Sequence, residues 1–275
     1  MVVGRVTQLC FVVLLALISS DARIEAAQPA KKAYEPRVGQ AGKDVVWVPT
    51  PDTLVDKMLA LAKVTPSDYL IDLGSGDGRT VITAAKRGTR AHGIEYNPDM
   101  VELSKRNAAK EGVSDMATFA KADLFESDFS RATVITMFLL PQINLKLRPQ
   151  ILDLRPGTRI VSNSFTMGEW EADETASTSD DCTGWCTALL WIVPAKVDGA
   201  WKLADGELVL KQNFQTLTGT LTTGSRTVSI TSGRLRGEEI YLRSDEDEYR
   251  GHASGDGISL TSKNGDEWKA TRASK

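Results

Sequence analysis

"DYLIDLGSGDGRTVITAAKRG", residues 68–88, decides the fold. An apolar run stops at Asp72 and Leu73, glycines follow at 74, 76 and 78, and an apolar-periodic segment runs on to Gly88. The pattern reads as a buried strand, a glycine-rich turn and a helix with a glycine stop. Such a unit gathers backbone N–H groups and a helix N-terminus at the carboxyl edge of a parallel sheet, where anionic or nucleoside ligands bind. Asp72 closes the strand. Gly74, Gly76 and Gly78, with Ser75 and Asp77 between them, let a ligand approach the chain with no Cβ in the way.

The alternation continues outward. "AHGIEY" is a strand, and "PDMVELSKRNAAKEG" is a helix with Pro98 in its first turn and Gly112 just past its end. "ATFAKAD" and "ATVITMFLLP" are strands, "QINLKLRPQILDLRPG" is helical in part and broken near Pro149, and "TRIVSNS" is a strand. Near-continuous apolar strands between helices predict an α/β class, a doubly wound, mostly parallel, Rossmann-like sheet covered on both faces. A helix after "VVWVPTP", with Leu54, Met58, Leu59 and Leu61 on its apolar face, precedes it. Beyond Phe165 an acidic loop gives way to short β segments separated by turn residues, which predicts a C-terminal antiparallel β-rich region. The expected boundaries are a leader over 1–27, a polar linker over 28–45, the α/β domain over 46–198 and an appended β-rich domain over 199–275.

Which ligand suits the turn follows from what it lacks and what it carries. A nucleoside triphosphate requires a lysine after the last glycine, but Arg79 and Thr80 follow Gly78. A dinucleotide requires Gly-x-Gly-x-x-Gly, and here the third glycine comes one residue early. Asp72 and Asp77 repel pyrophosphate and attract a cation. S-adenosylmethionine carries an ammonium and a sulfonium and no phosphate. Glu95 ends the next strand, beside Tyr96, and can accept ribose hydroxyls. Asp123 closes the strand after that and can receive an adenine amino group, with Leu124 packing on the ring. One strand-end acid alone reads as a helix or turn cap; three with the glycine turn read as a cofactor site.

These residues resemble the class I S-adenosylmethionine-dependent methyltransferases, with "DLGSGDG" as the first motif and Glu95 as the ribose acid. "VPTP", "DLGSGDGRTVI", "GIEYNP" and "LLPQINLKL" are most similar to a protein-lysine methyltransferase family that includes the ATP synthase c-subunit lysine methyltransferase and is distantly similar to histone methyltransferases of the Dot1 type. The resemblance covers roughly residues 46–197 and not the β-rich tail. It implies methyl transfer to a protein lysine, with a small-molecule acceptor as an alternative. It places the acceptor beyond the fourth strand, at Phe138, Leu139, Leu140 and Pro141, where methylases of nucleobases and amides carry Asn/Asp-Pro-Pro-Tyr. No general base is evident. Trp47, Pro49 and Thr50 are candidates for a lid over the methionine end of the cofactor; packing of a linker on the core explains them equally well.

The net charge of −3 supplies no global basic field for nucleic acid, so the expected partners are a protein bearing an accessible lysine or a small molecule. Two histidines, His92 and His252, supply a zinc site poorly, and the acidic run over 244–248 reads as a solvated turn. "LCFVVLLALI" behind Arg5, followed by small residues, reads as a signal peptide cleaved near Ala22, Ala26 or Ala27. The run is too short to span a bilayer, so no stable membrane span is expected after its removal; an uncleaved anchor is the alternative. Export agrees with a disulfide between Cys182 and Cys186, though two reduced cysteines on a loop fit the sequence too. An exported chain meets little S-adenosylmethionine, which leaves a non-catalytic binding protein on the same fold as another reading.

Overall fold

The computed structural model describes residues 1–4 and 34–273; the leader reading rests on residues outside these. Helix α1 (Asp52–Leu61) buries Leu54, Val55, Met58 and Leu59. Strand β1 (Tyr69–Leu73) is buried along its length apart from Tyr69, as a central strand covered on both faces must be. Helix α2 (Arg79–Lys86) starts at Gly78, buries Val81, Ile82, Ala84 and Ala85, and stops before Gly88, whose φ is +85°. Strand β2 (Arg90–Glu95) leads to α3 (Pro98–Lys110), where the Asn97 side chain accepts the Asp99 N–H at 2.9 Å and Pro98 takes the first helical position.

Strands β3 (Ala117–Lys121) and β4 (Val134–Met137) follow, then α4 (Pro141–Leu152) and β5 (Arg159–Asn163). Helix α4 runs through Pro149 where a break was expected. Proline removes one intrahelical bond near the helix end, and Leu147 and Ile151 on either side of it stay anchored in the core. A hairpin of β6 (Glu174–Ser177) and β7 (Thr187–Ile192) completes the sheet, antiparallel to β5.

The strand order is β3-β2-β1-β4-β5-β7-β6. The chain leaves β1 in one direction through β2 and β3 and returns on the other side with β4. That reversal opens a crevice at the carboxyl ends of β1 and β4. One sheet face packs on α1, α2 and α3. The other carries α4, Phe129, Met167, Trp170 and Trp191.

The remainder is β8 (Gly199–Leu203), β9 (Gly206–Asn213), β10 (Thr216–Thr223), β11 (Arg226–Arg236), β12 (Glu239–Ser244), β13 (Glu248–Ser254), β14 (Gly257–Ser262) and β15 (Glu267–Arg272). The expected antiparallel region closes on itself as a barrel. Alternation sends Trp201, Leu208, Leu210, Leu235, Leu242 and Leu260 inward, so the interior is a packed core. The barrel is fastened to the first sheet at the β6 end. Phe214, turned by a φ of +52°, stacks on Trp170 with centroids 6.0 Å apart. The Arg234 guanidinium donates to the buried Asp173 carboxylate at 2.6 Å, and Arg236 pairs with Glu174.

Candidate active site

The crevice at the head of β1 and β4 is lined by Asp72, Gly74, Ser75, Gly76, Asp77, Glu95, Tyr96, Asp123 and Leu124. Its outer wall is Trp47, Pro49, Thr50, Phe138, Leu139 and Leu140. Residues from both sides of the sequence reading therefore meet in one cleft. Two do not line it. Gly78 is buried beneath it as the N-cap of α2, with φ +84°; a Cβ there would lie 2.8 Å from the Phe119 ring and 2.9 Å from Ser104 Cβ. Its need for glycine is one of packing, not of ligand approach. Pro141 instead starts α4.

Gly76 sits where the turn meets Trp47. Its φ is +55°, and an added Cβ would come 2.7 Å from the Trp47 indole nitrogen. Its N–H donates to Glu95 Oε2 at 2.9 Å, while Glu95 Oε1 accepts the Asn97 N–H at 2.8 Å. Helix α3 holds the turn from below: the Ser104 hydroxyl donates to the Gly76 carbonyl at 2.8 Å and the Asn107 amide to the Asp77 carbonyl at 3.0 Å. Glu95 thus orders the turn with one lone pair on each oxygen and keeps others for a ligand hydroxyl.

The acids differ in state. Asp72 is buried and accepts the Thr136 hydroxyl at 2.7 Å. Burial, helped by the negative charges of Asp77 and Glu95, pushes its carboxyl up to about 7 against that hydrogen bond. Asp77 is paired with Arg79 at 2.7 Å, and Arg79 also donates to the Thr50 carbonyl at 2.9 Å. The residue that spoils a dinucleotide motif here ties the glycine turn to Thr50. Asp123 pairs with Lys43, and that ammonium, with the Phe125 N–H at 3.0 Å, holds its carboxyl below the usual range.

Lys43 was not expected in the cleft. Residues 40–45, read as the end of a linker, instead form a turn against it, with an antiparallel bridge between Ala41 and Val46, the Trp47 N–H donating to the Gln40 carbonyl at 2.9 Å and the Gly39 N–H donating to the Trp47 carbonyl at 2.8 Å. A polar stretch around Gly42 gives no apolar period to betray such a turn. Phe165 and Trp185 also line the cleft and went unread. Phe165 follows Ser164, a non-glycine residue at φ +59° that swings it off the end of β5. Trp185 lies between Cys182 and Cys186, whose sulfurs are joined. The signal available was a large aromatic inside a short cysteine loop.

A bare turn ringed by carboxylates suits a cationic nucleoside, and the residues present fit S-adenosylmethionine. The model of the ANTKMT methyltransferase domain matches residues 72–174. A protein-lysine N-methyltransferase of Saccharolobus islandicus is 43% identical over 139 residues, which are 50% of this chain and 86% of that one. The lysine N-methyltransferase of the ATP synthase c-subunit from Rattus norvegicus is 38% identical over 113 residues, 41% of this chain and 52% of its own length. A crystal structure named as an RNA methyltransferase from Salinibacter ruber, in complex with S-adenosyl-L-homocysteine, is 47% identical, with 55% of this chain and 96% of that chain covered at a TM-score of 0.51. The barrel lies beyond the residues that the family model matches.

Proposed function

Because the chain belongs to the S-adenosylmethionine-dependent methyltransferases of the ANTKMT domain family, we propose that it N-methylates a lysine side chain of a protein. The observation that carries this reading is the 43% identity across 86% of the archaeal protein-lysine N-methyltransferase. The protein is an enzyme and S-adenosylmethionine is its methyl donor, which supplies an electrophilic carbon already activated on a sulfonium.

In this reading Asp72 receives the cationic methionine end, Glu95 accepts ribose hydroxyls beside Tyr96, and Asp123 takes the adenine amino group with Leu124 against the ring. Gly74, Ser75, Gly76 and Asp77 shape the floor. Trp47, Pro49 and Thr50 form a cover that excludes water. The attacking lysine amine must first give its proton to water; the chain's task is then alignment and desolvation, since among the described residues no side chain in the cleft stands out as a general base.

The name of the Salinibacter structure favours a second reading, an RNA acceptor. Against it stand the apolar Phe138-Leu139-Leu140 wall and the acidic cleft, which repels phosphate. Incubating the full chain with radiolabelled S-adenosylmethionine and separate protein and RNA fractions decides between them. Nε-methyllysine in the protein hydrolysate is the expected product. Label confined to RNA overturns the lysine reading.

Lys43 occupies the position an adenine amino group would seek on Asp123, and it adds positive charge where a cation must bind. Lys43→Met is expected to tighten S-adenosylmethionine binding roughly two- to fivefold, the range of an exposed ion pair that no longer has to open. Calorimetric titration measures it. Weaker binding in the variant would make Lys43 a ligand contact instead of a competitor.

A further inference from the structure

We propose that Phe138, Phe165 and Trp185 form the acceptor subsite, an aromatic wall that takes an alkylammonium side chain, lysine or its mono- and dimethyl forms. The inference deepens the lysine reading and rests on it. Phe138 extends from the end of β4 into the cleft that holds the glycine turn. Its ring stacks on Phe165 at 5.9 Å and 20°, and meets Trp185 at 6.0 Å and 59°. The three rings come from separate loops and reach one wall only because the backbone is bent to bring them there.

That bending is the second observation. Ser164, just before Phe165, is held at φ +59° by its N–H bond to the Thr187 carbonyl at 2.7 Å and its hydroxyl bond to Asn163 Oδ1 at 2.9 Å. Asp181 and Trp185 stand at +48° and +55°. Non-glycine residues in this region are strained, and such strain persists where surrounding structure enforces it. Here the enforcement is the Cys182–Cys186 crosslink, together with the Thr53 hydroxyl donating to the Asp180 carbonyl at 2.7 Å from α1. A loop that only joined β6 to β7 has no use for a half-exposed tryptophan fixed so firmly.

The occupant follows from charge. Asp72, Asp77, Glu95 and Asp123 face the same cleft, and among the described residues that line it the cations Lys43 and Arg79 are each paired with an acid. Ring faces are negative and attract ammonium groups, more strongly once these are methylated and easier to dehydrate. An apolar wall in an acidic cleft therefore favours a long aliphatic stem ending in a cation over a neutral acceptor of equal size.

The test uses the full chain saturated with S-adenosyl-L-homocysteine. Nα-acetyl-lysine methylamide, its Nε,Nε-dimethyl form and the norleucine analogue are titrated and followed by NMR. The dimethyl form is expected to bind about tenfold more tightly than norleucine, the size of a partly desolvated cation–π contact. Trp185→Ala should erase that preference, Trp185→Phe should keep most of it, and Cys182→Ser should reduce it by loosening the loop. Unchanged affinity for S-adenosyl-L-homocysteine in each variant shows that the fold is intact. Equal binding of norleucine by the wild type, or an undiminished preference in Trp185→Ala, overturns the subsite. If lysine is methylated and the preference is absent, the subsite alone falls. If the preference holds and no lysine is methylated, the subsite stands and the lysine reading falls.

Discussion

Asp72→Asn is expected to raise the melting temperature of the ligand-free protein at pH 8 by several degrees while weakening S-adenosylmethionine binding about a hundredfold or more. Both effects have one origin. Burial keeps a proton on Asp72 up to about pH 7, against 3.8 for an ordinary aspartate. The folded state therefore binds that proton more tightly than the unfolded state does. The resulting stabilisation is complete below about pH 4 and is lost as pH rises through 7. At pH 8 the native protein carries a buried carboxylate with no cation beside it, held by the Thr136 hydroxyl and near Asp77 and Glu95. Asparagine keeps an oxygen to accept the Thr136 hydroxyl and removes the charge, so the ligand-free fold gains. The cationic ligand loses its counter-charge, and a buried charge left unpaired costs about 3–5 kcal/mol. Wild-type affinity should also fall below pH 7, where protons compete for Asp72, whereas the variant should be nearly flat with pH. Calorimetry at pH 6 and pH 8 on both proteins measures these quantities. A variant that melts no higher than wild type at pH 8, or a wild-type affinity indifferent to pH, would remove the basis for placing a cation at Asp72.

The second large effect is structural. Gly78→Ala is expected to destabilise the protein by about 2–4 kcal/mol, lowering the melting temperature by roughly 5–15 °C. The added methyl group requires an unfavourable backbone conformation at φ +84° and pushes into Phe119 and Ser104, both packed behind the turn. Ser104 is fully buried and its hydroxyl holds Gly76, and the Phe119 ring is buried as well. A thermal melt gives the answer directly. An unchanged melting temperature with lost ligand binding would return Gly78 to the cleft.

Most of the α/β part was legible because parallel strands buried on both faces are apolar over most of their length, as "YLIDL" and "VITM" are outside Asp72 and Thr136. The strand-end acids were legible for a related reason: Asp72 and Glu95 interrupt apolar strands at their carboxyl ends, where a charge has no reason to sit unless something meets it. Other features were hidden by physics that acts between distant segments. Closure of the barrel depends on register around the ring, and alternation of "TLTGTLTT" or "GISLTS" is the same in an open sheet. The direction of Phe165 depends on a left-handed Ser164, which no local preference announces. Lys43 reaches Asp123 across 80 positions of sequence, through a turn with no apolar period. Pro149 was read as a helix break on a sound local rule and was outweighed by the buried neighbours that hold α4 together.

The ring of the second sheet has a seam. Most of its junctions are long ladders, such as the run from Thr216–Asn213 to Thr223–Gly206 between β10 and β9. The ladder between β15 and β8 is short, pairing Thr271 with Lys202 and Arg272 with Trp201, with one more bond from the Ala273 N–H to the Ala200 carbonyl at 3.0 Å. Arg272 staples that junction, lying over the Trp201 ring at 4.2 Å and donating to the carbonyls of Lys196 and Asp198 at 2.6 and 3.1 Å. Under heat or tension the barrel is expected to unzip from this side, and limited proteolysis, read by mass spectrometry, should cut its last strand first.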